Sequence, residues 1–438
     1  MPGLPALLAM LVLIPAASLQ AAPTWFGEVK NIIDTRCGGC HAPDNIGPFP
    51  LKSYEQVHPL RNIISDSVRQ GRMPPWHPAD GCNEYKHDLS LTEAEKQTLY
   101  DWAGAGGPLG DEATHIPATN TYVAPRFNKS VPMKEAYAPT RENTDDYRCF
   151  VMDPKTTEDM FINGLFLDVD RRDLVHHMLA YVVEPEYADM ARGWEDEDEG
   201  PGYSCWGLPS RSIQAGNRRI GAWVPGMMPY IMEGDTGYKF RAGSVVLMQI
   251  HYNTLTADPG KGDRSTLKLN LVPTVSRPVA DAFYLNPLWL LGNFMRIPAG
   301  EPHVEHSFSS DYSNGMLALE GETVGLRRGD SFEVFGVHIH MHQLGSGGRI
   351  DLIRADGTEQ CLLDIRNYEF YWQTGYLLKE SVIVHPGDRI KVTCEWDNSA
   401  GNQPVVNGRR LEPRDVAWGE GTRDEMCLGG FLYKAPGG

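Results

Sequence analysis

The chain has 438 residues, 45 of them glycine, 32 proline and 8 cysteine, and a formal net charge of −17. That length is too great for one ordinary hydrophobic core and predicts about three domains. The charge excludes a nucleic-acid-binding class, because a phosphate backbone needs a positive surface. Past the first 22 residues no run reaches the ~18 apolar residues of a spanning helix, so no stable membrane span is expected.

Residues 1–22 carry an apolar run from Ala6 to Ile14, then small residues and a cleavage-like Leu19-Gln20-Ala21 or Gln20-Ala21-Ala22 before Pro23. This reads as a signal peptide without the usual basic start, and it predicts a periplasmic or secreted protein. An uncleaved anchor is the alternative. In an exported chain, eight cysteines predict oxidised pairs. Two of them have another use: Cys37-Gly38-Gly39-Cys40-His41 is the pattern for covalent c-type haem attachment, with thioethers from Cys37 and Cys40 and His41 as an axial iron ligand. A CxxC redox pair or half a zinc site is the competing explanation. Further on come Gly71-Arg72-Met73-Pro74-Pro75-Trp76-His77 and the segment Leu89 to Trp102, read as a helix with Ser90 or Thr92 at its N-cap and early glutamates. Together these elements resemble a small class I cytochrome c over residues 23–112. The resemblance makes Met73 the sixth haem ligand, with His77 as the rival and a merely packed methionine as the bland alternative.

Residues 113–140, rich in Pro, Thr, Asn and Ala, read as a linker. From 141 onward, short Val-, Phe-, Tyr- and Ile-containing runs alternate with Gly, Pro and Asp clusters, which predicts antiparallel β-sandwiches. Four features there suit metal binding. Val175-His176-His177-Met178 places two imidazoles side by side, and neighbouring strand residues can reach one ion only where the strand bends, bulges or ends. His251 closes a strand-like run from Val245. His338, His340 and His342 alternate, so on a strand they would share one face. Asp424-Glu425-Met426-Cys427 adds a thioether near the C-terminus. Each has a bland explanation as a buried histidine or core methionine. Imidazole and thioether together favour copper, because methionine sulfur is soft. The acidic run Glu195-Asp196-Glu197-Asp198-Glu199 reads as a solvated loop or, alternatively, as a docking patch for a cationic electron donor.

These stretches, with Thr144-Asp145-Asp146-Tyr147-Arg148-Cys149 and Gln249-Ile250-His251-Tyr252, resemble the type II copper monooxygenases, the family of peptidylglycine α-hydroxylating and dopamine β-monooxygenases. The resemblance covers about 141–438 and implies two all-β, jelly-roll-like copper domains, 141–275 and 276–438, behind the small all-α cytochrome domain. It implies two copper ions in mononuclear sites facing each other across an open cleft. His176, His177 and His251 would hold the electron-storing copper; His340, His342 and Met426 would hold the oxygen-activating one and make the catalytic site. His338 becomes an extra histidine. It stands where the peptide enzymes have a carboxylate-binding arginine, and Gly430 stands where they have a tyrosine, so a glycine-ended peptide is not the expected substrate. The resemblance also implies the disulfides Cys149–Cys205 and Cys394–Cys427, leaving Cys82 and Cys361 either to tie the cytochrome to the second copper domain or to stay free.

The function so implied is dioxygen-dependent hydroxylation of a C–H bond, or oxygenation of a heteroatom, in an organic substrate. Electrons would come from a reduced cytochrome, a quinol-linked donor or an ascorbate-like reductant through one covalently attached haem c. A haem and copper electron-transfer protein without oxygenase activity is the alternative. A peroxidase-like haem enzyme is disfavoured, since Met73 would occupy the position peroxide needs.

Overall fold

The computed structural model describes residues 21–437 apart from 44–46, 120–123, 141–144, 206–208, 213–217, 225–226, 228, 255–257, 293, 318–320, 371 and 407. The expected leader up to residue 20, part of the linker and Thr144 therefore lie outside the described residues.

The N-terminal part is helical. Three successive segments, Trp25–Val29, Lys30–Ile32 and Ile33–Cys37, make one helical run. It packs Trp25, Val29 and Ile33 against Leu99 and Trp102 of the helix Glu93–Gly104. That second helix begins as its sequence predicts: the Thr92 side chain accepts from the Glu95 amide and the Glu95 carboxylate accepts from the Thr92 amide, satisfying two donors the first turn would leave unpaired.

The remainder is mostly β-sheet. An eight-stranded sheet runs Lys129–Pro132, Thr266–Val272, Met160–Asp168, Thr236–Phe240, Arg277–Tyr284, Leu428–Lys434, Phe332–His340, Tyr376–Val384 in spatial order. A five-stranded sheet containing Asp145–Met152, Val175–Val183 and Val245–Asn253 covers one half of it, enclosing Met178, Met248, Ile162 and Phe240. A four-stranded sheet of Val304–Ser310, Arg389–Trp396, Gly345–Ile353 and Glu359–Ile365 covers the other half over Phe332, Phe431, Ile350 and Trp396. The two sandwiches are therefore not separate sheets. They share one, joined where Arg277 and Pro278 pair in parallel with Thr236 and Gly237. The segment expected as a linker also contributes an edge strand, Lys129–Pro132, paired with Thr266–Leu269.

All three disulfides are formed among the six cysteines outside the CxxCH motif: Cys149–Cys205, Cys394–Cys427 and Cys82–Cys361. The last resolves the open question in favour of the tie. Around it the chain from Trp76 to Lys86 lies against the second sandwich. Tyr85 donates its hydroxyl to the Leu362 carbonyl at 3.0 Å, the Lys86 amide bonds Leu377 O at 2.8 Å, and Trp76 meets Tyr376 edge-on at 5.2 Å. The acidic run is not a free loop: Glu195 lies in the helix Ala188–Asp196, pairs with Lys134 at 2.6 Å and accepts from the Val151 amide. Asp198 pairs with Arg148 and Arg211. An alternating apolar pattern could not show these partners, all of which lie outside the acidic run.

Candidate metal centre

His177 and His251 sit directly opposite each other on adjacent antiparallel strands. His176 would normally point to the other face, but the register shifts between Val175 and His177, which is the bulge that two adjacent histidines need to serve one ion. One ligand atom from each of His176, His177 and His251 then lies within 4.8 Å of the others. The strand Val245–Asn253 is buried on both faces, so the group rests on rigid backbone.

His251 is oriented from behind. Its Nε2 lies 2.9 Å from Asp145 Oδ1, and because a carboxylate only accepts, Nε2 carries the proton and Nδ1 keeps its lone pair. That Nδ1 is buried and has no hydrogen-bond partner. An orphaned imidazole nitrogen aimed at two further histidines fits a metal ligand. Burial would raise the Asp145 carboxyl, but hydrogen bonds from His251 and Thr422 outweigh it and hold it down at about 2. Tyr147 stacks on the His251 ring at 4.1 Å, nearly parallel.

The second group lies where a strand ends. His340 is the last residue of Phe332–His340, and His342 follows it outside the strand; their rings are 5.1 Å apart and nearly perpendicular. His340 Nδ1 donates to Gln373 Oε1, an amide whose orientation is set by its own Nε2 donating to Phe370 O at 2.7 Å. His342 Nδ1 donates to the Asp424 carbonyl at 3.0 Å. Both rings therefore keep Nε2 free for a ligand. The buried Glu425 carboxylate accepts from the His342 and Leu344 amides and from Trp396 Nε1, all at 2.7–2.8 Å, fixing the turn after the strand. Met426 follows, buried, beside the Cys394–Cys427 disulfide. Burial and mutual proximity lower the histidines: His340 to about 4, His342 to about 3, and His176 and His177 well below the ordinary value. The imidazoles are held neutral, the form that binds metal.

The two groups adjoin. His177 and His340 have ring centroids 6.3 Å apart, and Phe370 lies between them, stacked on His176 at 4.5 Å and edge-on to His342 at 6.2 Å. This corrects the expected open cleft. His338 lies outside the histidine group. Its Nε2 is 3.4 Å from Arg219 Nη2, and Arg219 in turn pairs with Asp281 and lies 3.5 Å over the Phe283 ring. Gly430, its cross-strand partner, leaves room for the imidazole: a Cβ there would fall 1.8 Å from His338 Cε1.

The CxxCH motif ends the first helical run. His41 is buried and its Nδ1 donates to the Phe49 carbonyl at 2.9 Å, which leaves Nε2 as the candidate iron ligand. Burial pushes the Cys37 thiol up to about 12 and the Cys40 thiol up to about 11, opposite to the lowered thiol of a reactive redox pair. Met73 is 41% exposed, whereas His77 is partly buried, bonded to the Asn367 backbone and in contact with Tyr376. The rivals are thus parted, His77 being engaged with the second sandwich.

Asp145, Thr422, Gln373, Phe370 and Arg219 surround the histidines without any motif of their own that assigns them a role. Acidic Asp145 opening an apolar strand and Arg219 beside Ile220 are the kind of signal that could have flagged two of them; Gln373 and Phe370 carry none.

Residues 291–434 match the family described as copper type II ascorbate-dependent monooxygenase, C-terminal domain. The second sandwich resembles a copper monooxygenase domain. Over 271 residues, 60% of its length, the chain is 28% identical to DBH-like monooxygenase protein 1 of Gallus gallus. The Homo sapiens protein of that name is 25% identical over 79% of the chain. Dopamine beta-hydroxylase of Canis lupus familiaris is 22% identical over 59%. The chain spans 40%, 56% and 38% of these relatives' own lengths. Among the described residues, no helix is long and apolar enough to cross a membrane.

Proposed function

We propose that the chain is an exported copper-dependent monooxygenase that hydroxylates a C–H bond, or oxygenates a heteroatom, of an organic substrate. One observation carries this: His176, His177 and His251 converge with His340 and His342 where the two sandwiches meet. His176, His177 and His251 hold one copper; His340, His342 and Met426 hold the other. Copper bound at these positions supplies one-electron redox chemistry and dioxygen activation, the thioether favouring the reduced ion. Overall, a C–H bond, dioxygen, two electrons and two protons give an alcohol and water. The chain's own residues prepare that chemistry. Asp145, Gln373 and the Asp424 carbonyl fix which imidazole nitrogen is presented, and burial holds the His176, His177, His340 and His342 rings neutral.

Residues 23–112 serve as a cytochrome c domain in this proposal, with haem on Cys37 and Cys40 and ligands His41 and Met73. Residues 113–140 link it to the copper domains 141–275 and 276–438. The Trp76–Lys86 segment, tied by Cys82–Cys361, holds the haem domain on the second sandwich, and Phe370 offers an aromatic contact to His176 on the electron-storing side. An external reductant recharges the haem. The disulfides support a periplasmic or secreted location.

The test is to incubate copper-loaded, reduced protein with a metabolite extract under labelled dioxygen. One labelled atom in a product supports the monooxygenase, and reoxidation without any labelled product contradicts it. Rapid-mixing absorbance tests the relay: haem reoxidation must be faster with copper present than in a copper-free sample. A second possibility, electron transfer without oxygenation, is favoured by the short gap between the two histidine groups, and the labelling experiment separates the two.

A further inference from the structure

Between the strands Arg409–Arg410 and Leu428–Lys434, one short segment touches the surroundings of both histidine groups. Glu420 O accepts the Tyr147 hydroxyl at 2.9 Å, and Tyr147 is the ring stacked on His251. Two residues on, Thr422 donates its hydroxyl to Asp145 Oδ1 and its amide to Asp145 Oδ2, the carboxylate that orients His251. Asn253, two residues past His251, bonds both Asp145 Oδ1 at 3.1 Å and Thr422 Oγ1 at 3.3 Å. Two residues further, Asp424 O accepts His342 Nδ1, and Glu425 pins the His342 amide. Met426 follows.

The segment is stiff. Thr422 and Glu425 are buried; the Asp424 amide closes a turn on Gly421 O at 2.8 Å, and Arg414 ties both Arg423 O and the Asp424 carboxylate. Cys427 anchors its end through Cys394. Asp145 and Tyr147 belong to the five-stranded sheet, whereas His342, Glu425 and Met426 belong to the other sandwich. A displacement of Thr422 relative to Asp145 therefore moves the Asp424 carbonyl and Met426 with it.

We propose that residues 420–426 form a strap that positions both metal sites together, with Thr422 as the positioning residue that joins them. The proposal rests on the two-copper assignment above. Thr422 touches neither metal. It acts through Asp145 on His251 in one direction and through the backbone of Asp424 and Met426 on the second site in the other. The strap keeps the two histidine groups adjacent, and its loss lets the sites part and relax independently.

The experiment uses the full chain loaded with two equivalents of Cu(II), read by electron paramagnetic resonance, with Cu(I) affinity measured in parallel. Wild-type protein gives the superposed Cu(II) spectra of two sites. Thr422→Val, which keeps shape but removes the hydroxyl, shifts the hyperfine pattern of both coppers, with Cu(I) affinity falling about 10-fold, the low end for loss of an outer ligand contact. Thr422→Ser restores the wild-type spectrum. Tyr147→Phe, which keeps the ring stacked and removes only the bond to Glu420 O, gives a smaller shift in the same direction and decides the matter if Thr422→Val does not fold. Wild-type protein that takes up no second copper overturns the two-copper assignment and the strap with it. Wild-type protein that binds two coppers, with variants whose spectra superimpose on it, overturns the strap alone.

Discussion

The two histidine groups are built on opposite plans. His177 and His251 face each other across paired strands, with His176 swung in by a single bulge, so the first site inherits the stiffness of a sheet buried on both faces. His340 and His342 straddle the end of a strand, and Met426, proposed as the third ligand there, comes from a loop. What pairing does for the first site, discrete pins do for the second: the Glu425 carboxylate, the Cys394–Cys427 bond and the Gln373 amide. A sheet-borne site resists change, whereas a pinned site can be altered one contact at a time.

The largest break in this comparison comes at Glu425. Glu425→Ala strands the His342 amide, the Leu344 amide and Trp396 Nε1, each a buried donor costing about 1–3 kcal/mol unpaired. Copper uptake should fall from two ions to one, with the hyperfine pattern of the remaining copper shifted as the strap loosens, and calorimetry should show a markedly lower melting temperature. Retention of both coppers would mean that Glu425 does not hold the second site.

Next is Gly430→Ala. The added methyl collides with the His338 imidazole, and overpacking of this kind costs about 1–3 kcal/mol. Thermal melts should show it, with His338→Ala in the same chain restoring most of the loss.

A matched pair sharpens the contrast. Asp145→Asn removes the carboxylate behind His251, and Gln373→Ala removes the amide behind His340. Each should weaken copper at its own site by about 10–100-fold, the usual effect of losing a partner behind a ligand. Competition with a chelator measures both.

The smallest effect lies away from both sites. Burial would raise the Glu333 carboxyl, but Ser381, Lys434 and Arg277 hold it below its ordinary value. A carboxyl lowered by folding contributes stability above its unfolded pKa and loses it as pH falls through the folded one. Glu333→Gln should therefore destabilise at neutral pH and converge with wild type in acid, as denaturant melts across pH will show.

Local chemistry in this chain was legible in advance. Thr92 and Glu95 spelled out their capping box, His176-His177 demanded a bulge, and the cysteines of both sandwiches paired as the resemblance implied. The rest depends on partners far apart in sequence. Nothing near Cys82 points to Cys361, 279 residues away. The sheet shared by both sandwiches hangs on the parallel contact of Arg277 with Thr236, and parallel pairing leaves no hairpin signal. Thr422 and Asp145 are ordinary polar residues until folding brings them together. For the same reason the gap between the two histidine groups could not be read from either motif.

In the proposed enzyme, five imidazoles and one thioether make two copper sites at the junction of the sandwiches. X-ray absorption at the copper edge of the Cu(I)-loaded protein tests it most directly. Two coppers per chain with one sulfur neighbour between them are expected, the sulfur being lost in Met426→Ile while the nitrogen shell persists. Copper bound without any sulfur neighbour, or a sulfur signal unchanged by Met426→Ile, would contradict it.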